Sequence, residues 1–202
     1  MDKGLLNGVV FLDLKKAFDT VNRQILLKKL ELYGISKSER ITTGVPQGSN
    51  FGPLLFLLYI NDLPNCLDTS VPALFADDTN LTVSGATSHD IEMKLEKDLS
   101  NVHNWLLANK LTLNVKKTEY MIIGSRQKLS QIINEPVLSI GSESVSRVSS
   151  TKTLGVIVDE RFTWRHQIDQ VAKKVSKGIH LLRRSKHLVN GTTLEFSRPT
   201  TL

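Results

Sequence analysis

Cysteine, aromatic residues and long apolar runs are scarce in this sequence. Cys66 is the only cysteine, which excludes an intrachain disulfide and a cysteine zinc site and is typical of a reducing compartment. The longest apolar stretch, Leu54 to Ile60, is far shorter than the roughly 20 residues that a membrane-spanning helix needs. No secretory signal opens the sequence. We therefore expect an intracellular protein, nuclear or cytoplasmic, with no membrane or disulfide partner; nothing in the sequence indicates an oligomeric state.

The charged residues are unevenly distributed along the 202 residues. Overall, 40% of the residues are hydrophobic and 23% are charged, which is ordinary globular composition. Residues 160–202 hold nine Lys or Arg against three acidic residues, whereas the residues before them carry 17 of each sign. A basic end of this kind suits a polyanion such as a nucleic acid. From charge alone, however, a solvated basic helix is the simpler interpretation.

Hydrophobic periodicity predicts one domain in which strands and helices alternate, an α+β fold. The predicted strands are Val9 to Leu12, Ala73 to Ala76, Thr79 to Val83, Leu111 to Val115, Tyr120 to Ile123, Val137 to Ile140, Val145 to Val148 and Thr153 to Val158. The predicted helices are Arg23 to Tyr33, Leu54 to Ile60, His89 to Leu107 and Trp164 to Leu182. Thr87 and Asp90 provide a capping box for the third helix.

Two short acidic stretches follow apolar, strand-like runs. Asp13 ends the first run, and Asp77-Asp78 lies at the tip of a predicted hairpin. Taken singly, Asp13 suits a cap and Asp77-Asp78 suits a turn. Adjacent like charges beside apolar residues are unfavourable unless a cation offsets them. Because Mg²⁺ prefers hard oxygen ligands and keeps several waters, the three carboxylates together predict a divalent-metal site suited to phosphoryl transfer.

Five ordered motifs resemble the successive palm motifs of reverse transcriptases, in wording most like those of non-LTR (LINE-type, jockey-like) retrotransposons. They are VVFLDLKKAFDTV, TGVPQGSNFGPLLFLLYINDLP, LFADDTNL, NKLTLNVKKTEYMII and KTLGVIVD. The ordered set is far more specific than FADD alone. The resemblance implies a polymerase palm-like antiparallel sheet with helices packed on one face and the start of a helical thumb. It also implies an RNA-directed DNA polymerase that adds dNTPs to a DNA primer on an RNA template.

The resemblance assigns catalytic and nucleotide-binding roles position by position. It implies that Asp13, Asp77 and Asp78 bind two Mg²⁺ ions, or Mn²⁺ in their place, and that Lys117 lies near the leaving pyrophosphate. The residues implied to contact the incoming nucleotide are Leu14, Lys15, Lys16, Ala17 and Phe18, through backbone amides and the Phe18 ring, together with Gln47 and Gly48. Without the motif, Phe18 is a plain core residue and Lys117 a solvated turn residue.

The resemblance also assigns contacts with the nucleic acid. Leu154 and Gly155 match a hairpin that holds the primer strand. Lys173, Lys174 and Lys177 lie on the basic helix, where the thumb begins, and would contact backbone phosphates.

The sequence departs from the family pattern in several places. Only nine residues separate Gly34 from Gly44, so we expect a palm segment to be missing near residues 35–43 and the apolar residues Ile25 and Leu26 to lack partners. The first motif follows Met1 closely, so we also expect the fingers and an endonuclease domain to be absent. We therefore predict a partial palm over residues 1–160, a thumb-like helix over 161–188 and a disordered tail over 189–202.

These departures leave two alternatives to an active polymerase. One is a catalytically inactive retrotransposon remnant that binds nucleic acid weakly through the basic helix. The other, which we favour less, is a metal-dependent nuclease. A nuclease needs similar carboxylates but has no use for Phe18 or for the loop formed by Pro46, Gln47 and Gly48.

Overall fold

The computed structural model describes residues 4–35 and 51–185, and within them it has a mixed α+β fold. The helices of this part are α1 (Arg23–Leu32), α2 (Phe51–Ile60), α3 (Ser88–Ala108), α4 (Arg126–Ser130) and α5 (Arg165–Ser185). The strands are β1 (Leu6–Leu12), β2 (Val71–Phe75), β3 (Asp78–Gly85), β4 (Glu119–Ile123), β5 (Ser139–Ile140), β6 (Glu143–Ser144), β7 (Ser146–Arg147), β8 (Ser150–Thr153) and β9 (Val156–Asp159). The predictions for Gln47, Gly48, residues 36–43 and the tail lie outside the described residues.

Five strands form the main sheet, in the order β2-β3-β1-β4-β7. The central strand β1 is antiparallel to both β3 and β4, and β2 is antiparallel to β3. The short pairing of β4 with β7 is parallel. Two hairpins, β5–β6 and β8–β9, form separate two-stranded sheets. The predicted α+β class is therefore confirmed.

The two faces of the main sheet have different neighbours. Leu6, Val10 and Leu12 of β1 belong to the large apolar core that also contains residues of α1, α2 and α3. A Cβ atom at Gly8 would lie 2.3 Å from a methyl carbon of Ile91 in α3, so glycine is what allows this helix to approach the sheet closely. Val9 alternates to the opposite face, into a smaller cluster that includes residues from the β8–β9 region. The described helices of the core thus cover one face only.

Most of the predicted elements are confirmed with small shifts in their ends. The predicted capping box is present: Asp90 N donates to Thr87 Oγ1 and Thr87 N to Asp90 Oδ2, both at 3.1 Å. The strands expected over Val137 to Ile140 and Val145 to Val148 are reduced to the two-residue strands β5 and β7. In the described segments, no helix has both the length and the apolar character needed to cross a membrane.

One predicted strand is wrong, and a second is only partly correct. Leu111 to Val115 is not a strand, because it makes a single bridge between Leu113 and Leu14 and then enters a turn. Thr153 to Val158 is interrupted by the turn between β8 and β9, where Leu154 and Gly155 have φ angles of 48° and 83°. Apolar residues flank both turns, so their periodicity does not reveal the break.

The expectation that α1 lacks partners is also wrong. Leu26 is only 4% exposed, and Ile25 packs against the same core cluster. A buried ammonium group ties α1 to the end of α2: Lys29 Nζ donates to the carbonyl of Tyr59 at 2.7 Å and to Asp62 Oδ1 at 2.6 Å. The helix therefore has apolar and polar contacts within the described residues.

The basic helix α5 forms as predicted, but its apolar stripe is exposed. Ile168 is 62% exposed and Leu182 is 71% exposed, and no α5 residue is buried against the described part of the chain. The start of the helix is held by Asp159, whose carboxylate accepts hydrogen bonds from the backbone amides of Thr163 and Trp164, each at 3.1 Å. These hydrogen bonds hold the two residues that directly precede α5.

The segment that leads into β2 is held by a buried carboxylate that the sequence analysis did not identify. Asp98 has 0% exposure on the core side of α3. It accepts hydrogen bonds from the amides of Asp68 (2.8 Å), Thr69 (3.1 Å) and Ser70 (2.6 Å) and from the Thr69 hydroxyl (2.9 Å). Burial by itself raises the pKa of Asp98, but these hydrogen bonds outweigh burial and hold the pKa below its ordinary value. In the sequence, Asp98 follows Ile91 by seven residues and so lies on the same buried stripe of the helix. This spacing could have indicated that Asp98 is buried.

Replacing this carboxylate should destabilise the fold in a pH-dependent way. We expect Asp98→Asn to lower the free energy of unfolding at pH 7 by about 2–3 kcal/mol, because an amide nitrogen then faces backbone donors. Since the folded pKa is depressed, the stabilisation is present above the unfolded pKa of about 3.9 and is lost as the pH falls through the folded value. Urea unfolding over this pH range measures the difference.

The exposed substitution Asp169→Asn on α5 serves as the control and should leave the unfolding midpoint unchanged. A loss of stability in Asp98→Asn that is the same at pH 7 and well below the folded pKa would contradict this account.

Candidate active site

The register of β1 and β3 brings the predicted acidic residues together. Leu12 lies directly opposite Thr79 in the antiparallel pair, so Asp13 and Asp78 occupy the next positions at the same end of the two strands. Partial burial raises the pKa of the Asp78 carboxyl, and the nearby negative charges of Asp77 and Asp13 raise it further. The three carboxylates thus share one electrostatic environment, as the sequence predicts.

A tight hairpin turn carries Asp77. Phe75 pairs with Asp78, which leaves Ala76 and Asp77 as the two turn residues between β2 and β3. Ala76 has a φ of 54°, in the left-handed region that costs a non-glycine residue roughly 1–2 kcal/mol. The flanking strand pairs hold this turn, and the predicted acidic hairpin tip is present.

A small groove of about 100 Å³ lies beside these carboxylates, between the main sheet and the β8–β9 hairpin. Its lining residues are Phe11, Leu12, Asp13, Asp78, Asn80, Lys117, Glu119, Thr151, Lys152 and Thr153. Phe11 is directly opposite Asn80 on β3 and Glu119 on β4. The groove is far smaller than the 300–1,000 Å³ of typical small-molecule pockets, so its size suits ions and phosphate oxygens.

The segment that was expected to be a strand after α3 instead holds Asp13 in place. Asn114 Nδ2 donates to Asp13 Oδ2 at 2.8 Å, and Asn114 N donates to the Asp13 carbonyl at 2.7 Å. The Asp13 amide donates to Thr118 Oγ1 at 3.3 Å. The backbone and one carboxylate oxygen of Asp13 are therefore oriented by the loop that precedes β4.

The donor chemistry of the groove fits Mg²⁺ or Mn²⁺. Carboxylate oxygens are the ligands that these ions prefer, and Mg²⁺ commonly uses one or two protein carboxylates together with waters and substrate phosphates. Across residues 4–35 and 51–185, no group of three His, Cys, Asp or Glu side chains converges closely enough to hold a metal ion by itself. Asp13 and Asp78 are two carboxylates of this kind, and both line the groove.

The residues predicted to contact the nucleotide divide into buried and exposed positions. Leu14 and Ala17 are buried in the core, whereas Lys15 and Lys16 are exposed. The expectation that every amide from Leu14 to Phe18 faces an anion is wrong at Lys15, whose amide donates to the carbonyl of Thr112 at 2.8 Å.

Phe18 has a clear packing role. Its ring lies 4.9 Å from that of Phe56, between centroids, and it packs against the main core. Phe18 therefore has the core contacts that the sequence left open as an alternative to a contact with the sugar.

The remaining predicted residues lie in three different parts of the structure. Lys117 lines the groove, as its assignment requires. Leu154 and Gly155 form the exposed turn at the tip of the β8–β9 hairpin. Three lysines predicted to bind phosphates are exposed on α5 and are not among the described groove residues: Lys173, Lys174 and Lys177.

The sequence analysis missed several polar residues at the site, among them Asn80, Asn114, Glu119 and Lys152. Asn80 could have been predicted from the sequence, because side chains two residues apart on a strand share a face and Asn80 follows Asp78 by two residues. The other three come from segments that are distant in sequence, and only the folded chain shows that they are neighbours of Asp13.

The repulsion among the carboxylates should make the site a source of instability in the metal-free protein. We expect Asp78→Asn to raise the urea midpoint at pH 7, because it removes a charge that the folded state disfavours. Since the folded pKa of Asp78 is raised, its penalty is present above that pKa and disappears below the unfolded value. The difference in urea midpoint between the variant and the wild type should therefore disappear when the pH is lowered below the unfolded pKa of Asp78.

Glu143→Gln, a substitution of an exposed carboxylate in the distant hairpin β5–β6, is the control and should behave like the wild type at both pH values. A lower midpoint for Asp78→Asn at pH 7 would show that the charge stabilises the metal-free fold.

Comparison with known proteins shows the family to which the chain is similar. The sequence profile of the family described as reverse transcriptase (RNA-dependent DNA polymerase) matches residues 2–158. A protein named as a probable RNA-directed DNA polymerase from transposon X-element of Drosophila melanogaster is 28% identical, over 88% of this chain and 23% of its own length. The RNA-directed DNA polymerase from mobile element jockey of Drosophila funebris is 25% identical, over 83% of this chain and 21% of its own.

A third relative extends the similarity to another element. The retrovirus-related Pol polyprotein from type-1 retrotransposable element R1 of Bradysia coprophila is 25% identical over 71% of this chain and 14% of its own length. This chain thus spans less than a quarter of each of these three curated relatives. Because the family profile covers well over half of its residues, the chain belongs to the reverse transcriptase family.

Proposed function

We propose that this chain carries the polymerising site of a non-LTR retrotransposon's RNA-directed DNA polymerase. The substrates would be a DNA primer on an RNA template and dNTPs. The observation that carries the proposal is the placement of Asp13 near Asp77 and Asp78 at one end of β1 and β3, where Asp13 and Asp78 line a groove that also contains Lys117. Membership of the reverse transcriptase family supports it.

The residues in and beside the groove have distinct roles in this proposal. Asp13, Asp77 and Asp78 would hold Mg²⁺ or Mn²⁺, which when bound lowers the pKa of the attacking 3′-hydroxyl and offsets the charge of the triphosphate. Asn114 keeps the Asp13 carboxylate oriented by binding one of its oxygens. The raised pKa of Asp78 indicates that its ionised form benefits from a nearby cation.

The transfer step exchanges a phosphoanhydride bond of the dNTP for a phosphodiester bond to the primer, and the proton of the primer 3′-hydroxyl is released to solvent. The primer 3′-oxygen forms a bond to the α-phosphorus of the dNTP while the bond between that phosphorus and the pyrophosphate oxygen breaks. Lys117 would face the leaving pyrophosphate and stabilise its growing charge. Phe18, Gln47 and Gly48 stay predictions for contacts with the sugar and the base pair.

Primer extension on an RNA template with the purified full chain tests the polymerase directly. We expect extension that requires Mg²⁺ or Mn²⁺ and that falls by about a hundredfold or more in the double variant Asp77→Asn, Asp78→Asn, because charge stabilisation at the reacting phosphate is lost. Glu143→Gln should extend like the wild type. No extension above the level of the double variant would exclude a polymerase activity for this polypeptide.

A second candidate function is nucleic-acid binding without catalysis. The observation that favours it is α5, which carries basic residues and is exposed along its length. This helix lies outside the groove lining, so it could bind phosphates whether or not the groove is catalytic. Binding through α5 would fit a polypeptide that has kept a fold but lost its reaction.

Salt dependence measures this second function. Neutralising Lys173, Lys174 and Lys177 to Gln should reduce the slope of log K against log salt for single-stranded RNA by about 2, since each phosphate contact contributes about 0.7. A control variant with the same charge change elsewhere, at Lys28, Lys110 and Lys128, should keep the slope. Binding that does not depend on salt would contradict this role of α5.

A further inference from the structure

One side-chain hydrogen bond connects the main sheet to the β8–β9 hairpin inside the groove. Glu119 is the first residue of β4, and its Oε2 accepts a hydrogen bond from Thr151 Oγ1 on β8 at 2.9 Å. Both residues line the groove beside Asp13 and Asp78. The bond therefore lies next to the carboxylates and joins the two walls of the groove.

The hairpin depends on such contacts because its strands do not pair with the main sheet. Its base is anchored: Gly124 N donates to the Glu160 carbonyl at 3.0 Å, and Val158 and Phe162 pack on the cluster around Met121. Its tip is less constrained, since Leu154 is 55% exposed. Among the described residues, the hydrogen bond from Thr151 to Glu119 is the side-chain hydrogen bond that connects the groove-facing part of β8 to the main sheet.

The hairpin brings groups that suit phosphate. Lys152 and Thr153 follow Thr151 along β8, and all three line the groove. An ammonium group and hydroxyl groups are donors that bind backbone phosphates without regard to sequence. How close these donors come to Asp13 and Asp78 depends on where the hairpin is held.

We propose that Glu119 is a positioning residue for nucleic-acid binding beside the catalytic carboxylates. By accepting the hydrogen bond from Thr151, it holds the β8–β9 hairpin so that Lys152 contacts a backbone phosphate of the bound strand next to Asp13 and Asp78. The proposal rests on the proposed polymerase function for its place in the reaction. The role is carried by the hydrogen bond rather than by the negative charge of Glu119.

Four substitutions separate the hydrogen bond from the charge. Thr151→Val removes the donor and keeps the shape and the carboxylate, whereas Thr151→Ser keeps the donor. Glu119→Gln removes the charge and keeps an oxygen that accepts the bond, whereas Glu119→Ala removes both. For each full-length variant, the measurements are the Kd for a primer–template by fluorescence anisotropy without nucleotide, KM and kcat in primer extension, the Mg²⁺ midpoint and the urea midpoint.

We expect Thr151→Val and Glu119→Ala to raise the Kd and the KM for primer–template by about fivefold to tenfold, which is the scale of one ordinary side-chain hydrogen bond. In Thr151→Val, kcat and the Mg²⁺ midpoint should stay within about twofold of wild type. Thr151→Ser and Glu119→Gln should bind like the wild type, which a general loss of stability would not produce.

Two results would overturn the proposal. Unchanged primer–template binding in Thr151→Val would show that the bond does not position the hairpin. A shifted Mg²⁺ midpoint in Glu119→Gln, with Thr151→Val like wild type, would show instead that the charge acts on the ion. If the wild type fails to extend primers, the polymerase function fails, whereas the comparison of Kd values still decides the role of Glu119.

Discussion

The antiparallel pairing of β1 with β3 is the constraint on which the candidate site depends, because it decides where two distant carboxylates meet. The pair runs in register from Leu6 opposite Gly85 to Leu12 opposite Thr79. Side chains alternate between the faces of a sheet, so a slip of one residue would exchange the core set of β1 for the opposite set. Burial of Val10 and Leu12 in the core therefore also fixes the position of Asp13. The hydrophobic effect thus sets the geometry of a charged site.

Several features of the candidate site are energetically unfavourable, and contacts with the surrounding fold hold them in place. Asp78 has a raised pKa because of burial and its acidic neighbours, and Ala76 has a left-handed backbone angle in the turn. The supports are hydrogen bonds from residues behind the site. Asn114 orients Asp13, and Asp98 fixes the segment from which β2 begins. A bound cation would offset the repulsion, so the features that cost stability in the free protein are those that suit a metal-dependent reaction.

The two faces of the main sheet contact different parts of the fold. One face packs against α3 so closely that Gly8 is needed at the contact. The other carries the groove, with the hairpin β8–β9 as its second wall. The basic helix α5 begins immediately after this hairpin and is exposed. In the function proposed above, the groove, the hairpin and the basic helix would contact parts of one nucleic acid whose reacting end lies at the carboxylates.

The sequence by itself was enough to identify the acidic residues of the candidate site, the family of the chain and most of its helices. Periodic apolar residues predict α1 and α3 because helical packing is local in sequence, and Asp13 and Asp77-Asp78 were recognisable because each follows an apolar run. Only the tertiary structure showed that the segment from Leu111 to Val115 forms hydrogen bonds with Asp13 instead of a strand. It alone also showed that Glu119 and Thr151 connect the two walls of the groove. Those contacts link residues far apart in the chain. Since local propensity depends on neighbours in sequence, whereas these contacts depend on strand register and loop path, no local pattern encodes them.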